Sequence, residues 1–396
     1  MEKETAEETR GVIQTVGPQL IEKISLNQLF VLILLFEIGS TIVVGIGGEA
    51  RQDTWIAVFI ACIIGIGLMA MYCKISSAAP GKHLYEIMEI GFGKWIAILL
   101  TVLYVHYFLY LASRVLRDFM ELLIADIFPN TPIEVISLLF LFVVMYINYL
   151  GIETLSRSAE IFIPYFILFL FLLCLFLIIS GELSMQRLRP ILAEGWGPVL
   201  SSVFPEMITF PFGEAIIFTV ILGYTQSFHR VGRIALFGII ASGSMITLWA
   251  VFDIAVLGPD TRGRSTFPLL NSIREISIAN FIERLDAFVV FIMMLGIFVK
   301  VSLYYFGVLK GLEYITNIPY RAYTVPIGIL IGVFSIVIAP NYPHHIQEGL
   351  KVVPKFLHLP FQIIVPSVLL MTLLFWKGRK RRSGESVSKK VVKAAK

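Results

Sequence analysis

The stretch from Phe204 to Tyr224 (FPEMITFPFGEAIIFTVILGY) is long and apolar enough for a membrane helix, yet its middle reads Phe210-Pro211-Phe212-Gly213-Glu214. Proline removes a backbone donor and clashes with the preceding turn, glycine loosens the backbone, and a carboxylate in hydrocarbon is costly. Non-helical backbone persists at membrane depth only where protein buries it or where it lines a wet cavity. The break therefore points to a site rather than an anchor.

Only 15% of the 396 residues are charged, 57% are hydrophobic and the mean hydropathy is +0.83. An ordinary soluble domain carries roughly 25% charged residues, so this is a polytopic membrane protein. Cys62, Cys73 and Cys174 lie in or at the ends of apolar spans with no CxxC pattern, as small core residues do. Residues 1–25 are polar and lack the apolar core of a cleavable signal, so the first span is expected to direct insertion. Residues 377–396 hold nine Lys or Arg against one Glu and directly follow an apolar segment. Such a cluster suits a cytoplasmic, lipid-contacting tail. With no aromatic residue among its charges, it does not read as a nucleic-acid arm.

Between the two tails, residues 26–376 form one membrane domain with ten candidate spans, near 26–48, 54–75, 95–114, 133–150, 160–180, 200–224, 233–257, 286–309, 324–339 and 360–376. Ten spans put both termini on one side, and the basic tail makes that side the cytoplasm. Three connections read differently from plain linkers. His83–Gly91 and Phe267–Leu285 have the spacing of surface-lying amphipathic helices. Asn341–His358 carries His344, His345 and His358, but adjacent histidines do not share a helix face, so a solvated loop is expected and no metal.

The first span is interrupted as well, with Gly39-Ser40-Thr41 at its middle. Each interrupted span opens a block of five, and five is odd, so the two blocks run in opposite directions. Broken helices at corresponding places of inverted halves point to a binding site near the membrane midplane. Amides opening the second half of a broken helix suit an anion such as an amino acid carboxylate, and freed carbonyls suit a cation. Gly39, Ser40 and Thr41 are candidates for one part of such a cradle, and Phe210, Phe212 and Gly213 for the other. Small residues also permit close helix packing, which is the competing explanation for them.

Glu37, His106, Glu206, Glu214, Asp253 and Lys300 are the ionisable residues inside spans, and each is costly unless paired or wet. Lys300 lies too deep to snorkel, and its natural partner is Glu214 or Glu37. A fixed ammonium there could stand where a sodium-coupled transporter holds its cation; a buried structural ion pair is the alternative. His106, beside Tyr104 and Tyr107, is a candidate for the cavity wall or a hydrogen-bonded bundle residue. Asp253 lies near the outer end of its span and is expected to be wet. No HExxH, GxSxG or Walker pattern is present, so nothing points to an enzyme or a cofactor.

Several blocks in order carry a resemblance to a known family. They are Gln52-Asp53-Thr54-Trp55-Ile56, Pro80-Gly81-Lys82 with Gly93-Lys94-Trp95, Phe128-Pro129-Asn130-Thr131-Pro132, and Ala159-Glu160-Ile161-Phe162-Ile163-Pro164. Phe210–Glu214, Ala255-Val256-Leu257-Gly258-Pro259, Arg284-Leu285-Asp286-Ala287-Phe288 and Phe298-Val299-Lys300-Val301-Ser302 follow. From about Ile24 to Trp376 the chain resembles the B subunits of GerA-type spore germinant receptors, the spore permease branch of the amino acid, polyamine and organocation transporters. It departs in the first span, where the family often has a proline after the break and this chain has Gly45-Ile46-Gly47-Gly48. The resemblance implies an all-α, LeuT-like fold of five plus five inverted repeats with helices one and six broken. It also implies binding of a nutrient germinant, usually an amino acid, in the spore inner membrane, together with an A subunit and a lipoprotein C subunit. The alternative is an amino acid permease coupled to protons through Glu37, Glu214 or His106.

Overall fold

The computed structural model describes residues 22–275 and 285–376. The polar N-terminus up to residue 21, residues 276–284 of the second amphipathic connection and the basic tail lie outside them. Among the described residues nine helices are long and apolar enough to cross a membrane, and the shorter Leu26–Ile38 occupies the first span. The described residues form helices and their connections, with one isolated β-bridge between Ile24 and Thr225.

Helix α1 (Leu26–Ile38) starts at a capping box, in which Ser25 Oγ accepts from Gln28 N at 3.1 Å and Gln28 Oε1 accepts from Ser25 N at 2.8 Å. It stops at Gly39-Ser40, and turns followed by irregular backbone run to Gly47. Helices α2 (Thr54–Ser76), α3 (Leu84–Phe92), α4 (Lys94–Asp126), α5 (Ile133–Leu150) and α6 (Ile152–Ser180) complete the first half. The broken helix α7 (Trp196–Tyr224) opens the second half. It is followed by α8 (Phe228–Arg264), the short α9 (Pro268–Arg274), α10 (Asp286–Thr316), α11 (Thr324–Val337), α12 (Tyr342–Gln347) and α13 (Pro354–Trp376).

Burial separates the centre from the lipid-facing rim. In the most apolar stretch of α7 83% of residues are buried, and in α10 78%, against 22% in both α6 and α13. Rim helices can face hydrocarbon with Leu and Phe, as Leu138, Leu139 and Phe142 of α5 do. The centre instead holds the broken backbone, and the two interrupted elements meet there beside α10.

Irregular backbone in a membrane must have its polar groups satisfied by the protein. Around Gly45–Gly47 side chains from the second half do this. Glu206 Oε1 accepts from Gly47 N at 2.9 Å, and Arg262 Nη2 donates to Ile46 O at 3.0 Å. Asp253 completes this cluster; it is buried, accepting from Ser272 Oγ at 2.8 Å, so the expectation of a wet carboxylate is corrected. The reason is that α9 folds back over it, with Pro268, Leu269, Leu270 and Ile273 buried.

On the side carrying the described N-terminal residues the two halves are tied together. Ile24 N donates to Tyr224 O and Gln226 N donates to Ile24 O, both at 3.0 Å, which ties the entry of α1 to the exit of α7. Glu22 fastens two further elements: its carboxylate accepts from Ile152 N at 2.9 Å, and from Tyr320 Oη and Arg321 Nη2, both at 2.8 Å, on the turn before α11. Gly151, at φ 104°, leaves room for that carboxylate.

Candidate functional site

Pro211 has no amide hydrogen, and the chain turns at Phe210-Pro211 before re-entering a 3₁₀ helix over Phe212–Ile217. This places Glu214 at the centre of the molecule, facing α10. Lys300 Nζ lies 2.6 Å from Glu214 Oε2 and donates to Ser40 Oγ at 3.3 Å. It also stands 5.0 Å from the ring centre of Phe36 and 4.7 Å from that of Phe210. One lysine thus contacts both breaks, which lie within a single side chain's reach of each other. Lys300 and Glu214 are both buried, as is Glu37, which interacts electrostatically with both. Neither carboxylate oxygen of Glu37 has a hydrogen-bond partner among the described residues.

Beside this cluster, on the side away from Ile24, lies a small recess with an open mouth. Val44, from beyond the first break, and Phe210 and Glu214 of the second line it. The opposite wall is α4, through Leu111, Arg114, Val115 and Asp118, and the remainder comes from Ile346, Gly349, Leu350 and His358. The lining is mostly apolar with a few convergent polar groups, as in small-molecule sites generally.

The segment expected to be a solvated loop forms part of this wall, which corrects that expectation. Asn341 caps α12, its Oδ1 accepting from His344 N at 2.9 Å. His345 and His358 are buried rather than wet. His345 Nε2 lies 3.1 Å from Asp118 Oδ1, and His358 Nδ1 lies 2.8 Å from Tyr107 Oη. One ring nitrogen of each histidine is engaged by α4, which helps a hydrophilic stretch to be internal. Helix α13 is wound as a π-helix through Pro354–Ile364. Its loosened carbonyls accept side-chain bonds, from Tyr104 Oη to Phe361 O at 2.6 Å and from Tyr72 Oη to Gln362 O at 2.8 Å.

The residues expected to form the binding cradle divide. Ser40 meets Lys300, and Phe210 and Glu214 line the recess. Gly39 does not; a Cβ there would lie 2.3 Å from Gly296 Cα, so this glycine serves a close helix crossing. Gly213 lies against Gln362, and Phe212 is buried between Gly65 and Gly243. Thr41 donates to Glu37 O at 2.6 Å and lines a smaller crevice with Asp253 and Arg262. His106 is exposed on the outer face of α4, with Nδ1 2.8 Å from Val102 O, so it is a surface residue and not part of the cavity wall. The break amides are also largely taken. Those of Gly39, Ile42, Val43, Val44, Phe210 and Glu214 all donate to backbone carbonyls.

Arg114 is the residue that sequence reasoning missed. The third span reads as ending at residue 114, which puts an arginine at its boundary; α4 in fact continues to Asp126. Its charges are absorbed by tertiary partners. Arg117 donates to Glu121 Oε1 and Ile336 O, both at 2.8 Å, and Asp118 holds His345 and Tyr342. The spacing of Arg114, Arg117, Asp118 and Glu121 at helical intervals was the available signal.

Comparison with known proteins adds four findings. The sequence profile described as "Spore germination protein" matches residues 23–343. "Spore germination protein KB" of Bacillus subtilis (strain 168) is 37% identical over 371 residues, covering 93% of this chain and 99% of the relative. "Spore germination protein YndE" of the same organism is 24% identical over 332 residues, covering 83% and 88%. Among solved structures, that of MhsT in complex with L-phenylalanine aligns with a TM-score of 0.61 at 12% identity, over 89% of this chain and 99% of that one. At that identity the likeness is one of fold: an all-helical, LeuT-like membrane protein.

Proposed function

From the premise that this chain belongs to the spore germination protein family, we propose that it is the membrane subunit of a germinant receptor. It binds a small nutrient, an amino acid, in the recess beside the two helix breaks. It passes binding on, as a change of conformation, to an A subunit and a lipoprotein C subunit in the spore inner membrane. The supporting observation is the placement of Lys300. Phe210 and Glu214 belong to the recess wall, and Lys300 joins Glu214 to Ser40 of the other break. A ligand that presses on Phe210 or Glu214 therefore acts on both breaks at once. It shifts the conformational equilibrium by its differential affinity for the two states, and the partners acquire a reciprocal effect on its binding.

The test is thermal-shift titration of the purified full chain with L-amino acids, sugars and nucleosides. Saturable stabilisation by an amino acid, abolished by Phe210→Ala, is expected. Stabilisation only by sugars or nucleosides, or none at all, rejects the amino acid reading.

One observation favours a second reading, a proton-coupled amino acid permease. Glu37 has no hydrogen-bond partner among the described residues, and with Glu214 it places two buried carboxylates around one ammonium. A cluster of that composition can exchange a proton. Uptake of labelled amino acid into liposomes holding the chain alone supports transport; binding without uptake supports sensing.

A further inference from the structure

The break amides were the expected seat for a ligand carboxylate, but most of them already donate to backbone carbonyls. A carboxylate entering the recess needs another donor set, and Arg114 supplies one. The arginine is only 8% exposed and lines the recess from the α4 side. Of its five N–H donors, two are committed to protein acceptors: Nη2 donates to His345 O, and Nη1 donates to Tyr110 Oη at 3.2 Å. Glu348 Oε2 stands 3.8 Å from Nη1, too far for a hydrogen bond. The guanidinium therefore forms a salt bridge with a carboxylate of this chain without hydrogen-bonding to it.

Its position depends on a missing side chain. Gly349 also lines the recess, and a Cβ there would lie 2.0 Å from Arg114 Nη2. The guanidinium rests against bare backbone, in a space that any other residue at 349 would fill. Across the recess stands the carboxylate of Glu214, while Asp118 shares the α4 wall with Arg114 and His358 is the remaining polar group; Val44, Leu111, Val115, Phe210, Ile346 and Leu350 complete the lining. The recess thus carries a guanidinium and a carboxylate on one wall, a second carboxylate on another and an otherwise apolar lining. That is the complement of a small α-amino acid.

We propose that Arg114 is the carboxylate anchor of the recess, held in place by Gly349, and that it selects ligands bearing a free carboxylate. The proposal rests on the reading of the recess as the ligand site. The planar fork of arginine fits a carboxylate through two parallel N–H···O bonds, which an uncharged amide cannot reproduce.

The test pairs each of the twenty common L-amino acids with its α-amide and measures binding of both to the purified full chain. Wild type is expected to bind the acid at least about tenfold tighter than the amide, the scale of a hydrogen bond to a charged group. Arg114→Gln brings the acid down to the level of the amide, and Gly349→Ala does the same with the arginine still present. Equal binding of acid and amide by wild type overturns the carboxylate anchor while leaving the recess reading intact. A parallel loss of both ligands in Arg114→Gln and Gly349→Ala overturns it too, since that is the signature of a merely structural clamp. If wild type binds no amino acid, the germinant reading fails first and the anchor with it. Because equal binding of acid and amide by wild type overturns the anchor by itself, the proposal stays falsifiable even if a variant fails to fold.

Discussion

Gly39 and Gly296 cross with no side chain between them: a Cβ on Gly39 would lie 2.3 Å from Gly296 Cα, and one on Gly296 would lie 2.0 Å from Gly39 Cα. Gly296 stands one helical turn before Lys300, on the same face of α10. The crossing therefore sets the distance from which Lys300 reaches Ser40. Gly39→Ala and Gly296→Ala are each expected to lower stability by about 1–3 kcal/mol, the range for overpacking a filled core. Each should also weaken the response to ligand. Gly67 serves as the control, because a Cβ there meets nothing within 4 Å. Gly67→Ala should stabilise by up to about 1 kcal/mol through helix propensity. Melting temperatures of the three purified variants check this; equal losses at all three positions would refute the crossing.

Lys300 and Glu214 form a buried ion pair. Removing one partner leaves an uncompensated charge, so Lys300→Met is expected to destabilise by about 3–5 kcal/mol. Replacing both, as Lys300→Met with Glu214→Leu, should recover most of that loss, because a well-packed apolar pair can match a buried ionic one. The double variant is nevertheless expected to lose the ligand response, since it no longer joins the two breaks. A complete double-mutant cycle of melting temperatures, with a binding assay on the double variant, separates the two roles.

His106 provides a negative prediction. The side chain is exposed and bonded only within its own helix, to Val102 O. His106→Ala should leave stability within about 0.5 kcal/mol of wild type and the dose response unchanged. A shifted dose response would return His106 to the site.

His83 caps α3 outside the membrane-spanning segments, with its side chain 14% exposed. Burial, aided by Lys310 and Lys82, lowers its pKa to about 3. A backbone hydrogen bond opposes this; Glu86 stands 3.6 Å away, and the rings of Tyr85 and Tyr314 enclose the imidazole. The unfolded chain binds this proton near pH 6.5, so the unfolded state holds more protons between that pH and about 3. Stability contributed by the neutral imidazole is therefore complete above pH 6.5 and falls as pH drops through the window, with a limiting slope of about 1.4 kcal/mol per pH unit. Thermal melts of wild type and His83→Asn from pH 7.5 to 4.5 test it. The variant should have the shallower slope, and equal slopes would exclude His83.

What could be read locally was read correctly, and what depended on helix rotation was not. Pro211 and Gly39-Ser40 mark breaks because proline and glycine change the backbone wherever they stand, and both segments depart from α-helix where expected. Lys300 also announced itself, because an ammonium in mid-span needs a partner and Glu214 was one of two nearby carboxylates. Gly39 and Gly213 were harder. A glycine that admits a ligand and one that admits a neighbouring helix look alike until the neighbour is known, and here the neighbours are Gly296 and Gln362. His345 and His358 looked wet because their partners, Asp118 and Tyr107, lie more than two hundred residues away in the chain.

The sequence by itself determined the membrane class, the family, the two breaks and the need for a partner to Lys300. The family follows from the resemblance of several blocks in order, and the rest from composition or from the chemistry of a few adjacent residues. Only the tertiary structure decided which faces of α4, α7 and α13 look into the recess, and therefore that Arg114 rather than His106 stands on its wall. Hydropathy reports the cost of placing a charge in lipid but not whether a distant segment will cover it. Arg114 is affordable at that depth because α12 and the turn after it bring His345 O and the bare backbone of Gly349 against its guanidinium.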